Sequence, residues 1–430
     1  MGFPNRSALA ATVLEVDVKV RGTLAPGLRL VLLAVFFSMV PMVDTQPAFA
    51  APGGAGQEAA PPAPATKATP FARHGMWIWY VDRSEGGDVG RIIARAKRAG
   101  IGTVYIKSGD AGSVWSQFNR KLVGRLHRGG LDVCAWQFVY GNEPVDEAKV
   151  GAISVRRGAD CLVIDAEGHY EGKYAAADRY ILALRARIGD RFPLSLATFP
   201  YVDYHPSFPY SVFFGPGGAT FNQPQMYWRA IETSVRAVFE HTYLFNRIWE
   251  HPIYPLGQTY GGAGPKEIVR FRRFAASYGG LEPSWWDWQE TSLAGWQALG
   301  AAIDGPVGGY RPVTDHPLLR RGSRGDMVVW AQAHLRGAGQ TQLPVTGIFG
   351  KRTRAAVRAF QADRGLAVDG RIGTLTWRSL LGFDPVRPRW AGRRTKRGGG
   401  AVSSRALPPR RPLSASLPAK AYEIPPGPAP

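Results

Sequence analysis

The chain is poor in cysteine and in acidic residues, and both shortages narrow what it can be. Only two of its 430 residues are Cys, which excludes a disulfide framework and a zinc finger. Its 33 Asp and Glu stand against 53 Lys and Arg, so the formal net charge is +20. A chain this basic is attracted to polyanions, whether nucleic acid, an anionic membrane or an anionic cell wall.

Cofactor motifs are also missing. No group of His or acidic residues has the spacing of metal ligands, and no glycine-rich phosphate-binding motif occurs. We therefore expect neither a metal nor another cofactor.

Long apolar runs are scarce, and the clearest one lies near the N-terminus. The run LRLVLLAVFFSMV, with Arg21 and Arg29 as its basic flank, leads to PAFAAP, where Ala48 and Ala50 fit a small-x-small cleavage pattern. This predicts a signal peptide over residues 1–50 and hence a secreted protein, with an uncleaved anchor as the alternative. The Ala-, Pro- and Gly-rich residues 51–70 are predicted to be a linker.

Residues 71–305 alternate between strand-like and helix-like segments. The strand candidates are MWIWYV, TVYIKS, DVCAWQFVY, CLVIDAE, PLSLATF, NQPQMYW, YPLGQTY and SWWDWQ. Eight strands alternating with helices over about 230 residues predict an α/β fold of the (β/α)₈ TIM-like barrel type, with a doubly wound sheet as the alternative. The long Pro- and Tyr-rich connection after the fifth strand is expected to face substrate.

Residues 306–383 are predicted to form a small all-α three-helix domain with an internal sequence repeat. VTGIFGKRT, starting at Val345, recurs as VDGRIGTLT from Val368. Its predicted core is Val328, Ala331, Leu335, Val357, Phe360 and Leu380. Residues 384–430 are rich in Pro, Arg and Gly and are predicted to be a basic disordered tail.

This smaller unit resembles the peptidoglycan-binding domain of bacterial wall enzymes. The resemblance is carried by RGDMVVWAQAHL, VTGIFGKRTRAAVRAFQ and GLAVDGRIGTLTW, and Ala331 stands where the family usually has Leu. It implies a helical module that binds peptidoglycan, both glycan and stem peptide. The basic tail could in addition adhere to anionic wall polymers.

Two carboxylic acids, Asp165 and Glu167, end the fourth predicted barrel strand. Residues two apart on a strand share a face, so both side chains should point to the barrel axis, where the strand ends carry the chemistry. Glycoside hydrolysis needs one carboxyl group as acid and another group as stabiliser or nucleophile. Glu167, nearer the mouth, is the predicted acid, and Asp165 is its partner. The alternative is that one of them caps a helix or pairs with a rim cation.

Further mouth candidates are predicted to contact substrate. They are Asp82, Gln223, Gln225, Tyr227, Gln258, Tyr260, Trp286, Asp287 and Trp288. Asp82 and Asp287 could instead cap helices, and the two Trp could instead be core residues. Cys134 and Cys161 lie on neighbouring strands, and we expect free thiols, although export would permit a bridge.

Asp-x-Glu at the fourth strand, with VYIKSGD and WDWQ, resembles glycoside hydrolase family 25, the lysozyme-like muramidases. That family has an Asp inside its first strand, whereas in this chain the corresponding acid comes later, at Asp82. The sequence pattern of family 18 chitinases also ends in Asp-x-Glu, but it has a further Asp two residues earlier, where this chain has Val163.

The sequence thus predicts an exported, wall-associated protein that binds peptidoglycan and hydrolyses its glycan strands. A non-catalytic wall-binding protein with an inactive barrel is the alternative, and nucleic acid is not an expected partner.

Overall fold

The computed structural model describes residues 69–279 and 282–390. The predicted signal peptide, the linker up to residue 68 and the tail from residue 391 lie outside these residues. No helix in the described part of the chain is long and apolar enough to cross a membrane.

Parallel strands form a nearly closed barrel, and each of the eight predicted segments contributes one of them. The strands are β1 Gly75–Ile78, β2 Thr103–Asp110, a short antiparallel partner of β2 called β3 Ser113–Val114, β4 Asp132–Val139, β5 Cys161–Ala166, β6 Leu194–Thr198, β7 Phe221–Pro224, β8 Leu256–Gln258 and β9 Ser284–Trp286. Their order is β7-β6-β5-β4-β2-β1-β9-β8, and bridges Asn222–Ile253 and Gln225–Leu256 join β7 to β8. The barrel prediction is therefore confirmed, since consecutive strands are neighbours all the way round.

Helices follow the strands as the (β/α)₈ pattern requires. They are α1 Val89–Arg98, α2 Arg120–Arg128, α3 Pro144–Arg156, α4 Tyr174–Ile188, α5 Tyr210–Phe213, α6 Val235–Asn246, α7 Pro265–Ser277 and α8 Leu293–Gly300, followed by α9 Asp326–Gly337, α10 Lys351–Asp363 and α11 Thr374–Leu380. Side-chain caps start several of them, including Asp88 before α1 and Asn119 before α2.

Alternation along the strands separates two apolar cores. On β5, Leu162, Ile164 and Ala166 pack under the helices, whereas Cys161 and Val163 face the barrel interior. The interior is filled by aromatic rings: Phe71, Trp77, Tyr105, Trp136 and Trp286. Such rings leave no pore and make the strand ends the accessible part of the barrel.

The two cysteines form a disulfide, so the expectation of free thiols was wrong. Cys134 of β4 and Cys161 of β5 are direct register partners, with their Cα atoms 4.6 Å apart. That separation lies within the range a disulfide requires, and both side chains point to the same interior face.

Residues 316–383, here called the helical module, contain α9, α10 and α11, and their predicted core residues are all buried. The two loops of the internal sequence repeat are held by two buried glutamines in equivalent positions. Gln332 accepts a hydrogen bond from the Gly347 amide and donates to the Ile348 carbonyl and the Thr353 hydroxyl. Gln361 does the same with Gly370, Arg371 and Thr376.

The helical module packs directly on the barrel, and both belong to one compact unit. The only α-helix between β6 and β7 is the four-residue α5, and α9 packs against it. Buried Asp326 at the start of α9 accepts hydrogen bonds from the amide and hydroxyl of Ser211, both at 2.6 Å. The Trp330 indole donates to the Ile248 carbonyl at 2.6 Å.

The long connection after the fifth predicted strand, which contains Ser211, was expected to face substrate. Its middle packs against the helical module instead. Phe208, Tyr210 and Phe213 are buried, and the Pro206 carbonyl accepts a hydrogen bond from the Asp326 amide. Its aromatic residues serve the interface with the helical module, because the short α5 leaves an apolar surface that α9 covers.

Candidate active site at the carboxyl end of the barrel

Asp165 and Glu167 lie together at the carboxyl end of β5. Asp165 is the last but one residue of the strand, and Glu167 follows it immediately. Both are buried, with 1% and 4% of their surfaces exposed. Glu167 lines the open cleft above the barrel, whereas Asp165 lies beneath it.

One side-chain amide joins the two carboxyl groups. Gln225, just past β7, donates from Nε2 to Asp165 Oδ1 and to Glu167 Oε1, at 3.0 Å each. Its backbone amide bonds the Thr198 carbonyl and it forms a bridge with Leu256, so the side chain is fixed between β6 and β8. The amide therefore sets the mutual position of the two acids.

Burial raises the pKa of Asp165 well above its ordinary value, and the neighbouring Glu167 and Asp110 raise it further. The Lys107 ammonium and the Gln225 hydrogen bond act in the opposite direction. Two such carboxyl groups titrate as a pair, so the pair keeps one proton to a higher pH than an exposed acid would. The raised pKa is that of Asp165, the partner of the predicted acid Glu167.

Lys107, near the end of β2, occupies an aromatic cage beside this pair. Its Nζ lies 4.9, 4.7 and 4.8 Å from the ring centres of Trp79, Trp115 and Trp136. It also forms an ion pair with Asp110 at 2.6 Å. Cation–π contacts and the ion pair together compensate for the desolvation of a side chain that is only 4% exposed.

A cleft of about 1380 Å³ opens over these residues. Its aromatic walls come from the ends of β1 and β4 and from the loop after β2: Trp79, Tyr80, Trp115, Trp136, Phe138 and Tyr140. Gln117 fixes this loop by donating to the carbonyls of Trp79 and Lys107. Flat aromatic faces beside polar groups are the surfaces on which sugar rings pack.

Two further predicted residues, Tyr227 and Tyr260, interact electrostatically with the pair, and both also interact with Asp287. Burial raises the pKa of Tyr227 well above its ordinary value, and Tyr260, Asp165, Glu167 and Asp287 add to the rise. Burial also raises the pKa of Asp287 to about 7. Asp287 accepts a hydrogen bond from the Glu290 amide, so it closes the turn that follows the last strand.

The remaining predicted residues are not gathered around the carboxyl pair. Asp82 is exposed at the cleft rim, and Gln223 lies deep in the barrel, where its amide is 3.5 Å from the Ser284 hydroxyl. Gln258 accepts hydrogen bonds from the amides of Arg229 and Ala230 and so holds backbone.

The two tryptophans at the end of the last strand have different roles. Trp286 packs inside the barrel against Trp77, Trp79 and Trp136. Trp288 faces the other way and packs on Trp296 of α8, so it is a core residue of the outer layer.

Sequence reasoning missed several cleft residues, chiefly Lys107, Asp110, Trp115 and Tyr140. Lys107 and Asp110 belong to VYIKSGD, the strand end quoted for its family resemblance, and a buried Lys in an apolar strand was an available signal. Within residues 69–279 and 282–390 no group of three or more His, Cys, Asp or Glu is placed to hold a metal ion.

One part of the chain matches a known family. Residues 324–380 match the family described as putative peptidoglycan binding domain. An uncharacterised protein of Kitasatospora aureofaciens is 42% identical over 74 residues, which are 17% of this chain and 61% of that protein. The chain thus spans less than two thirds of this relative.

Several solved structures are similar to parts of this chain. The SleB N-terminal domain is 36% identical, with 15% of this chain and 90% of that one covered and a TM-score of 0.15. The Bacillus cereus spore cortex-lytic enzyme SleL is 10% identical, with 54% and 76% covered and a TM-score of 0.39. A family 39 glycoside hydrolase from Bacteroides cellulosilyticus is 10% identical, with 60% and 68% covered and a TM-score of 0.40.

Proposed function

We propose that this protein attaches to peptidoglycan through its helical module and hydrolyses the glycan strands in the cleft of its barrel. The observation that carries the proposal is the buried pair Asp165 and Glu167, joined by Gln225 beneath an aromatic cleft. The family match of residues 324–380 supports peptidoglycan as the bound polymer. We further propose that the protein is exported to the wall.

Glu167 is the proposed proton donor to the leaving oxygen of the glycosidic bond. It is the member of the pair that lines the cleft, and the pair retains a proton because burial and mutual repulsion oppose a second ionisation. The fixed Gln225 amide orients both carboxyl groups, so little reorganisation is needed when the proton leaves.

Asp165 is the proposed partner of that acid. It lies below Glu167 and shares the same amide nitrogen, and as the ionised member of the pair it favours the protonated form of Glu167 until the leaving oxygen takes the proton. Both carboxyl groups are then anionic, and each still accepts a hydrogen bond from the Gln225 amide. Positive charge that develops on the sugar ring would be stabilised by the carboxylate pair. The aromatic walls would hold the rings on either side of the bond.

The helical module would raise the local concentration of glycan at the cleft. Because the module packs on the barrel through Asp326 and Trp330, a strand bound to one part stays within reach of the other. A cleft of modest intrinsic affinity would then be sufficient.

Glu167→Gln tests the acid directly. We expect at least a ~10²-fold loss in the rate at which purified peptidoglycan is cleared and reducing ends are released, with pull-down on insoluble peptidoglycan unchanged. The matched control is Glu143→Gln, since Glu143 is an exposed carboxylate that caps no helix amide. A Glu167→Gln protein that clears at the wild-type rate would place the acid elsewhere.

A non-catalytic, glycan-binding barrel is the second candidate. It is favoured by the position of Asp82, which lies exposed at the rim and not beside the carboxyl pair. Wild-type protein that is pulled down by peptidoglycan but releases no reducing ends at any pH would establish this second candidate.

A further inference from the structure

A second pocket lies where the amino-terminal face of the barrel meets the helical module. Its volume is about 420 Å³, and barrel residues Tyr243, Arg247, His251 and Tyr278 line it together with His316 and Arg378 of the module. Arg247 comes from the turn between α6 and β8, which belongs to the face opposite the strand ends that carry Glu167. The pocket is therefore distinct from the catalytic cleft.

Cationic side chains from both parts converge on this pocket. Arg247, His316 and Arg378 line the same pocket. Burial lowers the pKa of His316 and the charges of both arginines lower it further, whereas Asp315 acts in the opposite direction. Within the described part of the chain, neither Arg247 nor Arg378 forms an ion pair. Arg378 has a single long contact, 3.5 Å to the Thr314 carbonyl.

Two hydrogen-bonding atoms of this cluster are buried and unsatisfied by protein. Arg247 Nε and His316 Nδ1 have no partner among the described residues. Glu250 also lines the pocket, and burial raises its pKa, which disfavours its charged form. The other nearby acid, Asp315, is exposed and accepts a hydrogen bond from the Thr374 hydroxyl. A buried donor without an acceptor costs free energy, and like charges at a packed interface repel each other.

An anionic oxygen ligand would remove both penalties. Guanidinium groups bind carboxylate and phosphate oxygens through paired, charge-assisted hydrogen bonds. A ligand held between Arg247 and Arg378 would contact the barrel and the module at once.

We propose that this pocket is a binding site for an anionic oxygen group of the cell wall, a carboxylate or a phosphate. The two sources are the terminal carboxylate of a stem peptide and the phosphodiester of an anionic wall polymer. The site is independent of the proposed hydrolysis, because it lies on the opposite face and requires only the packed helical module.

Isothermal titration of the full-length protein with two probes tests the site. One probe is an acylated D-alanyl dipeptide with a free carboxylate, compared with its amidated form, and the other is inorganic phosphate. We expect binding of at least one anion, no binding of the amidated peptide, and affinity that falls as salt is raised. The probe that binds more tightly identifies the source.

Substitutions in the barrel and in the helical module complete the test. Arg247→Met and Arg378→Met should each weaken binding of the anion about 10-fold or more. Arg352→Met, an exposed arginine of α10 outside the pocket, and Glu167→Gln should bind as the wild type does. Failure of both anions to bind, or binding by both pocket variants as tight as that of the wild type, would overturn the proposal.

Thermal melting identifies any variant that unfolds. Because Arg247 belongs to the barrel and Arg378 to the module, one folded variant is enough to decide the outcome. The readout is binding of a small anion, so a protein that fails to clear peptidoglycan can still pass this test.

Discussion

At the residue scale, the candidate site depends on which polar groups are buried beside one another. Asp165 and Glu167 are ordinary acids whose properties change because Gln225, Lys107 and Asp110 lie around them. Burial and the like charges favour the protonated form of the pair, and the ammonium of Lys107 opposes this. Lys107 thus acts on the chemistry through the pair, as a positioning residue.

Lys107→Met should move the alkaline limb of the kcat/KM profile for glycan cleavage to higher pH. Removing the ammonium removes an interaction that lowers the pKa of Asp165, and it leaves the Asp110 carboxylate, which raises that pKa, without its ion pair. The carboxyl pair therefore holds its proton to a higher pH. The measurement is the pH dependence of reducing-end release between pH 4 and pH 9.

Lys107→Arg is the matched control because it keeps a cation within the cage of Trp79, Trp115 and Trp136. Its profile should stay near that of the wild type. Identical pH profiles for Lys107→Met and the wild type would show that Lys107 only fills space.

At the element scale, the internal sequence repeat of the helical module arises from a repeated structural unit. Each unit has a helix that presents a buried glutamine to the loop that follows, and a glycine in that loop adopts a positive φ, 69° at Gly347 and 72° at Gly370. The φ values explain the glycines, since a residue with a side chain is strained in that conformation. The glutamines explain why the loops have the same shape.

Gln332→Ala and Gln361→Ala should each lower the free energy of unfolding by about 1–3 kcal/mol, because each leaves buried loop amides and carbonyls without partners. Urea unfolding followed by circular dichroism measures the change. Gln342→Ala, at an exposed position of the first loop, should change stability by less than about 0.5 kcal/mol. Equal stabilities for all three variants would refute the role of the buried glutamines.

At the scale of the whole molecule, the helical module behaves as part of the barrel's wall. It covers the place where α5 is short, with Trp330 packed against Trp249 at 5.4 Å between ring centres. Arg387, beyond the module, forms an ion pair with Asp178 of α4 at 2.8 Å. Deleting residues 316–383 would therefore expose apolar barrel surface, so point substitutions test the module better than truncation does.

Asp326→Asn should make stability less dependent on pH. Burial at the interface raises the pKa of Asp326 from 3.8 to about 7, so the folded chain holds a proton that the unfolded chain releases. This contribution to stability is fully present below about pH 4 and is lost as the pH rises through about 7. The advantage of wild type over Asp326→Asn in urea unfolding should accordingly be smaller at pH 8 than at pH 5.

Asp304→Asn, in the exposed segment before the module, controls for general effects of removing a carboxylate. It should leave the pH dependence of unfolding as it is in the wild type. A difference between wild type and Asp326→Asn that does not change with pH would show that the buried carboxyl keeps its ordinary pKa.

Much of the fold could be read from the sequence, because strand segments and amphipathic helices are local patterns. The eight strand candidates, the two faces of β5 and the buried core of the helical module were all available in this way. The carboxylates stood out for the same reason, as polar residues at the end of an apolar strand. Gln225 was a candidate from its place at the end of another strand.

The tertiary structure alone decided what depends on contacts between distant segments. Register brought Cys134 and Cys161 into a disulfide, and packing turned the loop around Ser211 toward α9. Trp286 and Trp288 look equivalent in sequence, yet one fills the barrel and the other supports α8. Local patterns specify which faces of an element are apolar, but the partner that covers each face is set by the free energy of the whole packed chain.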